Sequence, residues 1–297
     1  MTSLAGTDVV TGSANRSFAA RVAAGASGGV VRIVLMVVAL IWLVPTFGLL
    51  VESFRSSAQY TNGGWWKAIS HPGQLTVSNY SALIHNHAIT ASFYNTIKIS
   101  VPATIAVVLI GAAAGYAFAW IEFPGRDWLF LIVIGLLVIP IQIALIPVVK
   151  LYSVLGISGS VLSVVMFHVA FGLPFAIFLL RNFFAGIPRD LPEAARMDGA
   201  SEGRIFFRLI LPLGLPAIAS LAIFQFLWVW NDLLVALVFS NQSSQPITVA
   251  LASQTRQFGS SIDILAPGAF LSLIVPLAVF LAFQRFFVQG MMAGSVK

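Results

Sequence analysis

Six long apolar runs decide what this chain can fold into. They cover residues 30–51, 93–119, 128–149, 161–180, 213–239 and 266–287 of the 297. At about 1.5 Å of rise per residue, a helix of that length crosses a hydrocarbon core about 30 Å thick. Inside such a core the backbone must satisfy its own N–H and C=O groups, which a helix does segment by segment. Composition agrees: 59% of the residues are hydrophobic and 9% charged, with a mean hydropathy of +0.95, whereas a soluble domain is typically about a quarter charged. The expected fold class is therefore all-α, a polytopic membrane protein with six transmembrane helices. The absence of cysteine excludes disulfides and thiolate metal sites. The high isoelectric point comes from cations scattered beside the spans, which reads as membrane-flanking charge rather than a nucleic-acid surface.

Residues 1–29 are small and polar and are expected to form a mobile cytoplasmic tail. The first apolar run is too long for a signal peptide, although Ser56-Ser57-Ala58 faintly resembles a cleavage site, so it reads as an uncleaved anchor. Residues 53–92 form a polar loop with Trp65, Trp66, His71, His85 and His87. No acidic residue lies near these histidines in sequence, and no metal site is expected. The third run is interrupted by Pro140 and Pro147 around Gln142; such breaks line a cavity or are repaired by neighbouring helices. A short loop, 150–159, precedes the fourth run, which contains His168 and Pro174, and His168 is expected to be buried and hydrogen-bonded. The fifth run carries Gln225, Trp228, Trp230, Asn231 and Asp232, and residues 240–265 are a polar loop of Gln, Ser and Thr.

Six spans put both termini on one side. With the N-terminus inside, Arg16, Arg21, Arg32, Arg126, Arg181, Arg189, Arg196, Arg204, Arg208, Arg285 and Lys297 are inner, and Arg55, Lys67, Lys98, Lys150 and Arg256 are outer. Eleven against five favours N-in, C-in.

One stretch breaks the apolar pattern. Residues 189–212, RDLPEAARMDGASEGRIFFRLILP, hold four of the ten acidic and four of the sixteen basic residues. They read as two short helices joined by a bend. Asp190 is the expected N-cap, with Glu193 completing a capping box and Pro192 in the first turn. Asp198-Gly199 supplies the left-handed exit, Ser201 caps the next helix, and Pro212 stops it. The charge count places this stretch inside.

Glu193-Ala194-Ala195, Gly199 and Leu209-Ile210-Leu211-Pro212 resemble the EAA loop of ABC-importer permeases, with Leu209 in place of the usual Ile. Further likeness lies in 75–100 (LTVSNYSALI … NTIKIS), in Trp230-Asn231-Asp232-Leu233, and in 284–297. Together these resemble the six-span member of the maltose-type permease pair of carbohydrate importers, from about residue 30 to the C-terminus. The resemblance implies a type I ABC-importer permease fold: a permease domain over 30–290, a cytoplasmic coupling loop over 182–212, and a short cytoplasmic tail over 291–297. It implies a non-catalytic subunit of the cell membrane working with a second, homologous permease, two copies of an ABC ATPase and an external sugar-binding protein. ATP and magnesium would be bound by the ATPase; no cofactor is expected on this chain, which has no Walker-type Gly-rich Lys-Ser/Thr loop. Glu193, Ala194, Ala195, Asp198 and Gly199 would couple to the ATPase. Residues 240–265 would reach the binding protein, with Gln254, Arg256, Gln257 and Gly259 as candidate contacts.

The sugar pathway is read from side-chain chemistry. Gln142, Gln225, Trp228, Asn231 and Asp232 are candidate lining residues, with Trp230 beside them, because aromatic and amide groups suit neutral polyols. An interfacial belt is the other reading of the tryptophans. A non-sugar solute and an ion-coupled secondary transporter remain as alternatives; the latter needs intramembrane ionisable groups, for which Asp232 is the main candidate.

Overall fold

The computed structural model describes residues 18–60, 63–257 and 262–293, almost all of them helical. Among the described residues, four helices are long and apolar enough to cross a membrane alone, and two bent pairs bring the total to six when each pair counts as one span.

Helix α1 is Phe18–Ser53; it begins inside the segment expected to be a tail. Its side chains from Val30 to Phe47 are exposed, Trp42 at 77%, which is the surface of a helix meant for lipid or a protein neighbour. The chain divides into two units at Leu49/Leu50, and the rest of this description concerns the second.

After α1 the expected polar loop is instead a folded cap. Short helices Ser57–Tyr60 and Lys67–Ser70 and a 3-10 turn Pro72–Gln74 lead to α2, Ser78–His85. Its centre is Arg55, counted above among the outer cations but fully buried. The guanidinium donates to Glu52 Oε1 (2.8 Å), Gly63 O (3.0 Å), Gln59 O (2.8 Å) and Gln74 Oε1 (3.3 Å). Asn79 donates to the carbonyls of Ser53 and Arg55. A buried charge is tolerated only when paired and bonded in this way. Burial first, then the Glu52 charge, pushes the Tyr60 hydroxyl up to about 12, so it remains a donor, to Arg55 O at 2.8 Å.

Helix α3, His87–Trp120, starts earlier than the apolar run because Asn86 accepts from the amides of Ala88 and Ile89. The third span is α4, Arg126–Leu136, and α5, Ile141–Val154, bent by 102°. The break falls at Pro140, as expected; Pro147 stays inside α5, which also absorbs half of the loop expected at 150–159. Helix α6, Val161–Ala185, opens on a Ser160/Ser163 capping box.

Helices α3 and α6 run parallel and very close. A Cβ on Gly111 would sit 2.7 Å from Ala176 Cβ, and one on Gly115 would sit 3.0 Å from Leu180 Cβ and the Arg181 amide. Two glycines four apart let the backbones approach, the small-residue packing that holds helices together in lipid. Val107, Tyr116, Ala176, Leu180 and Phe184 form the core of this seam.

The polar stretch supplies α7, Asp190–Met197, and α8, Glu202–Leu213, whose middle, Phe206–Ile210, is π-helical. Helix α9, Leu215–Trp230, turns 75° from α8 at Gly214; a Cβ there would sit 2.4 Å from the Phe184 ring. Pro212 therefore does not end the helix: as the second residue of a new α-helical turn it gives up no needed N–H. Short α10, Leu234–Phe239, follows α9 and ends the fifth apolar run. The expected polar loop 240–265 contains another helix, α11, Ile247–Gln257, with Ile247 and Ala250 buried. The last span, α12, is Ile262–Ala293.

Candidate functional site

Two groups of polar residues lie at opposite ends of α3 and α6. At the C-terminal end of both helices is the α7–α8 loop. Helix α7 begins at Asp190, but Arg189 occupies the N-cap position with helical φ and ψ and no side-chain cap forms. The expected Asp190–Glu193 capping box is therefore absent: the chain enters the helix already coiled, and Glu193 N bonds to Arg189 O at 3.2 Å. Both carboxylates stay in the first turn, where they complement the helix dipole.

The exit is as read from the sequence. Gly199 has φ +77°, its N–H bonds to Arg196 O and Ala200 N to Ala195 O, both at 3.0 Å. This is a Schellman closure with Gly199 in the left-handed position. Ser201 is extended and precedes α8, yet makes no cap hydrogen bond.

What fastens the loop was not visible in the sequence. Arg196 Nε donates to Glu202 Oε1 at 2.8 Å and its Nη2 to Oε2 at 3.3 Å. The Tyr116 hydroxyl meets Glu202 Oε2 at 2.5 Å, and Arg196 Nη2 also reaches Trp120 O at 3.4 Å. Trp120 Nε1 donates to Phe184 O at 3.1 Å. The α7–α8 loop is thus bolted to the ends of α3 and α6. The Arg196 guanidinium, then the Tyr116 hydroxyl, holds the Glu202 carboxyl below its ordinary value, and the carboxylate raises Arg196 in return. Ala195 packs against the protein's own core, whereas Leu191, Glu193, Ala194, Met197 and Asp198 are exposed, Met197 at 88%. One face of α7 is held and the other is presented.

Toward the N-terminal end of α3 and α6, Asp232 lies near His168, which in turn contacts Trp228. The Asp232 carboxylate accepts from Val235 N (3.3 Å) and Ala236 N (2.9 Å), capping α10, and its carbonyl accepts from Thr248 Oγ1 at 2.6 Å. His168 Nε2 lies 3.6 Å from Asp232 Oδ2. His168 is fully buried but, against expectation, neither ring nitrogen is hydrogen-bonded; the ring stacks edge-on to Trp228 at 5.0 Å. Gln225 is buried with its Nε2 unpaired, in the space Gly172 leaves: a Cβ there would sit 2.8 Å from the amide. Trp228 is 38% exposed and Asn231 exposed. Gln142 is exposed in the first turn of α5.

Trp230 is a correction. It is 1% exposed, donates to Ser272 O at 3.0 Å and packs edge-on to Phe93, so it is core and lines nothing. Of the 240–265 residues, Gln254 lines a cavity of about 410 Å³ with Asn241, Gln242, Gln245 and Ser253. Asn95 closes it onto α3 through bonds to Ser243 O and Gln245 O. Arg256 and Gln257 end α11, their side chains outside the described residues, where Gly259 also lies.

Residues 107–292 match the family described as binding-protein-dependent transport system inner membrane component. The osmoprotective compounds uptake permease protein GgtD of Synechocystis sp. is 46% identical over 272 residues, covering 90% of this chain and 91% of that protein. The alpha-glucoside transport system permease protein AglG of Rhizobium meliloti is 46% identical over 233 residues, 76% of this chain and 61% of that one. The trehalose transport system permease protein SugB of Mycobacterium tuberculosis is 33% identical, covering 86% and 92%. Among solved structures, a bacterial ABC transporter that imports the acidic polysaccharide alginate superposes with a TM-score of 0.74 at 22% identity, over 88% of this chain and 96% of that one. That likeness shows the fold, a type I ABC-importer permease.

Proposed function

This chain belongs to the family of binding-protein-dependent transport system inner membrane components, and from that premise we propose that it forms half of the translocation pathway of an ATP-driven importer of a sugar or oligosaccharide. The observation that carries the coupling role is α7: a short helix braced from behind by Arg196, Glu202 and Tyr116, with Leu191, Glu193, Ala194 and Met197 facing away from the protein. A braced helix with a free face transmits force without deforming. Closure of two ABC ATPases, which bind the ATP and magnesium, would draw this helix and its counterpart on a second, homologous permease together. The tight α3–α6 seam then carries the displacement as a rigid body toward the Asp232 end.

The sugar class is supported by side-chain chemistry. The cavity at Gln254 carries amides and hydroxyls beside Ala88, Leu237 and Val249, with no charged residue, and the exposed Trp228 and Asn231 offer the same neutral donors, acceptors and aromatic faces. Relatives named for alpha-glucosides, trehalose and arabinooligosaccharides point the same way. A relative named for osmoprotective compounds favours a second reading, a small non-sugar solute. Asp232 does not support ion coupling, because its carboxylate is spent on capping α10. An external or periplasmic sugar-binding protein would deliver the solute at the 240–265 end, and the location is the cytoplasmic membrane, N-in and C-in.

Proteoliposomes holding the assembled transporter and its loaded binding protein, given a panel of labelled oligosaccharides, test this. Uptake is expected to require internal ATP and to select among neutral sugars. Uptake driven by an ion gradient without the ATPase overturns the reading.

A further inference from the structure

Helix α8 presents a graded outer face that the coupling role does not use. Ile205 and Ile210 are buried and Phe206 and Leu209 half-buried, while Arg204, Phe207 and Arg208 are exposed, Phe207 at 67%. Arg204 and Arg208 have no acidic partner among the described residues. The acid nearest in sequence, Glu202, is already engaged by Arg196 and Tyr116. Farther along the chain the exposed face turns apolar, with Leu213 at 44% and Leu215 at 51%. There the chain turns 75° into helix α9, so α8 lies nearly across the α9 axis, at the end that the proposed N-in arrangement puts inside. Two free guanidiniums, an aromatic between them and an apolar continuation follow the order of a bilayer: phosphate, interface, acyl chain.

We propose that Arg204, Phe207 and Arg208 form a binding surface for anionic phospholipid of the cytoplasmic leaflet, with the guanidiniums on the headgroup phosphates and Phe207 at the interfacial level. Arginine suits this role because its planar fork pairs two phosphate oxygens at once. The lipid would hold α8 at a fixed depth, and with it the bend at Gly214 through which α7 pulls on α9. This goes beyond the transport reading and needs no knowledge of the solute.

The test uses the full chain in nanodiscs. The sequence has no cysteine, and a Cβ at Gly203 meets nothing within 4 Å, so Gly203→Cys carries a single fluorophore beside the surface. Quenching by headgroup-spin-labelled phosphatidylglycerol is compared with quenching by the phosphatidylcholine analogue. Each arginine near an anionic surface favours it about fivefold, so the pair should give a preference of about thirty-fold at low salt, suppressed at high salt. R204Q/R208Q should abolish the preference, R204K/R208K should keep most of it, and millimolar inorganic phosphate should not compete. Equal quenching by the two lipids, or a preference that survives R204Q/R208Q, overturns the proposal. So does weakened ATPase association in R204Q/R208Q with lipid preference intact, which would make this face part of the ATPase dock.

Discussion

Replacing Glu202 tests whether the brace behind α7 is what makes it a coupling element. Glu202→Gln keeps the shape and an acceptor for Tyr116 but removes the charge facing Arg196. Charge-assisted hydrogen bonds contribute about 1.5–3 kcal/mol each when shielded. Here the side chains are 46% and 33% exposed, so screening reduces the pair to about 1 kcal/mol. Glu202→Ala adds the cost of leaving the buried Tyr116 hydroxyl without its carboxylate, about 1–3 kcal/mol more. Local opening of α7 should follow. Amide hydrogen exchange over Asp190–Met197 is expected to quicken about fivefold in Glu202→Gln and at least another fivefold in Glu202→Ala, one factor of five per ~1 kcal/mol. In proteoliposomes the ATP hydrolysed per sugar imported should rise in the same order, at unchanged membrane levels. The pH dependence has a definite sign. The folded-state value of Glu202 lies below the ordinary 4.5, so its contribution is complete above that value and is lost only as pH falls through the lower, folded one. The brace therefore holds at neutral and mildly acidic pH. Wild-type exchange and coupling in Glu202→Ala would refute the reasoning.

Gly199→Val puts a β-branched side chain at φ +77°, a strain of about 1–3 kcal/mol; normal insertion with hydrolysis uncoupled from uptake is expected, and wild-type uptake would count against α7 as the link. Glu193→Lys opposes the helix dipole and reverses an exposed charge, so co-purification of the ATPase should weaken while the spans remain intact. The two neighbouring tryptophans should separate cleanly. Trp230→Ala is expected to cost about 3–5 kcal/mol of stability and lower the melting temperature, whereas Trp228→Ala should leave the melt unchanged and raise the sugar concentration for half-maximal uptake.

The sequence carried the spans because each run satisfies its own backbone and advertises itself by length alone. Gly199 was legible for a similar reason: a left-handed exit is a local demand that one residue type meets. The brace was not legible, since Tyr116 and Glu202 are 86 residues apart and such a pairing leaves no periodic trace. The burial of Arg55, counted only as an outer cation, was not legible because nothing in its neighbours announces four acceptors converging on it. Helix α11 was taken for a loop because its polar residues outweigh the few, Ile247 and Ala250 among them, that pack inward. Pro212 misled because a proline stops a helix only where its N–H was needed. His168 was given a hydrogen bond that the structure withholds.

The contact at Gly111 and Gly115 sets the gearing of the molecule. Helix α3, at 34 residues, is a strut about 51 Å long, clamped to α6 nearer its inner end than its outer. Moving with α6 as one body that pivots there, the strut acts as a lever with unequal arms. About that contact, a tilt of about 5° sweeps Asn95, about 27 Å along the helix, through about 2 Å, and its bonds hold Ser243 and Gln245 at the rim of the outer cavity. A small stroke at the inner face becomes a larger one where solute enters. Side chains that widened the clamp would change the leverage before they changed the fold.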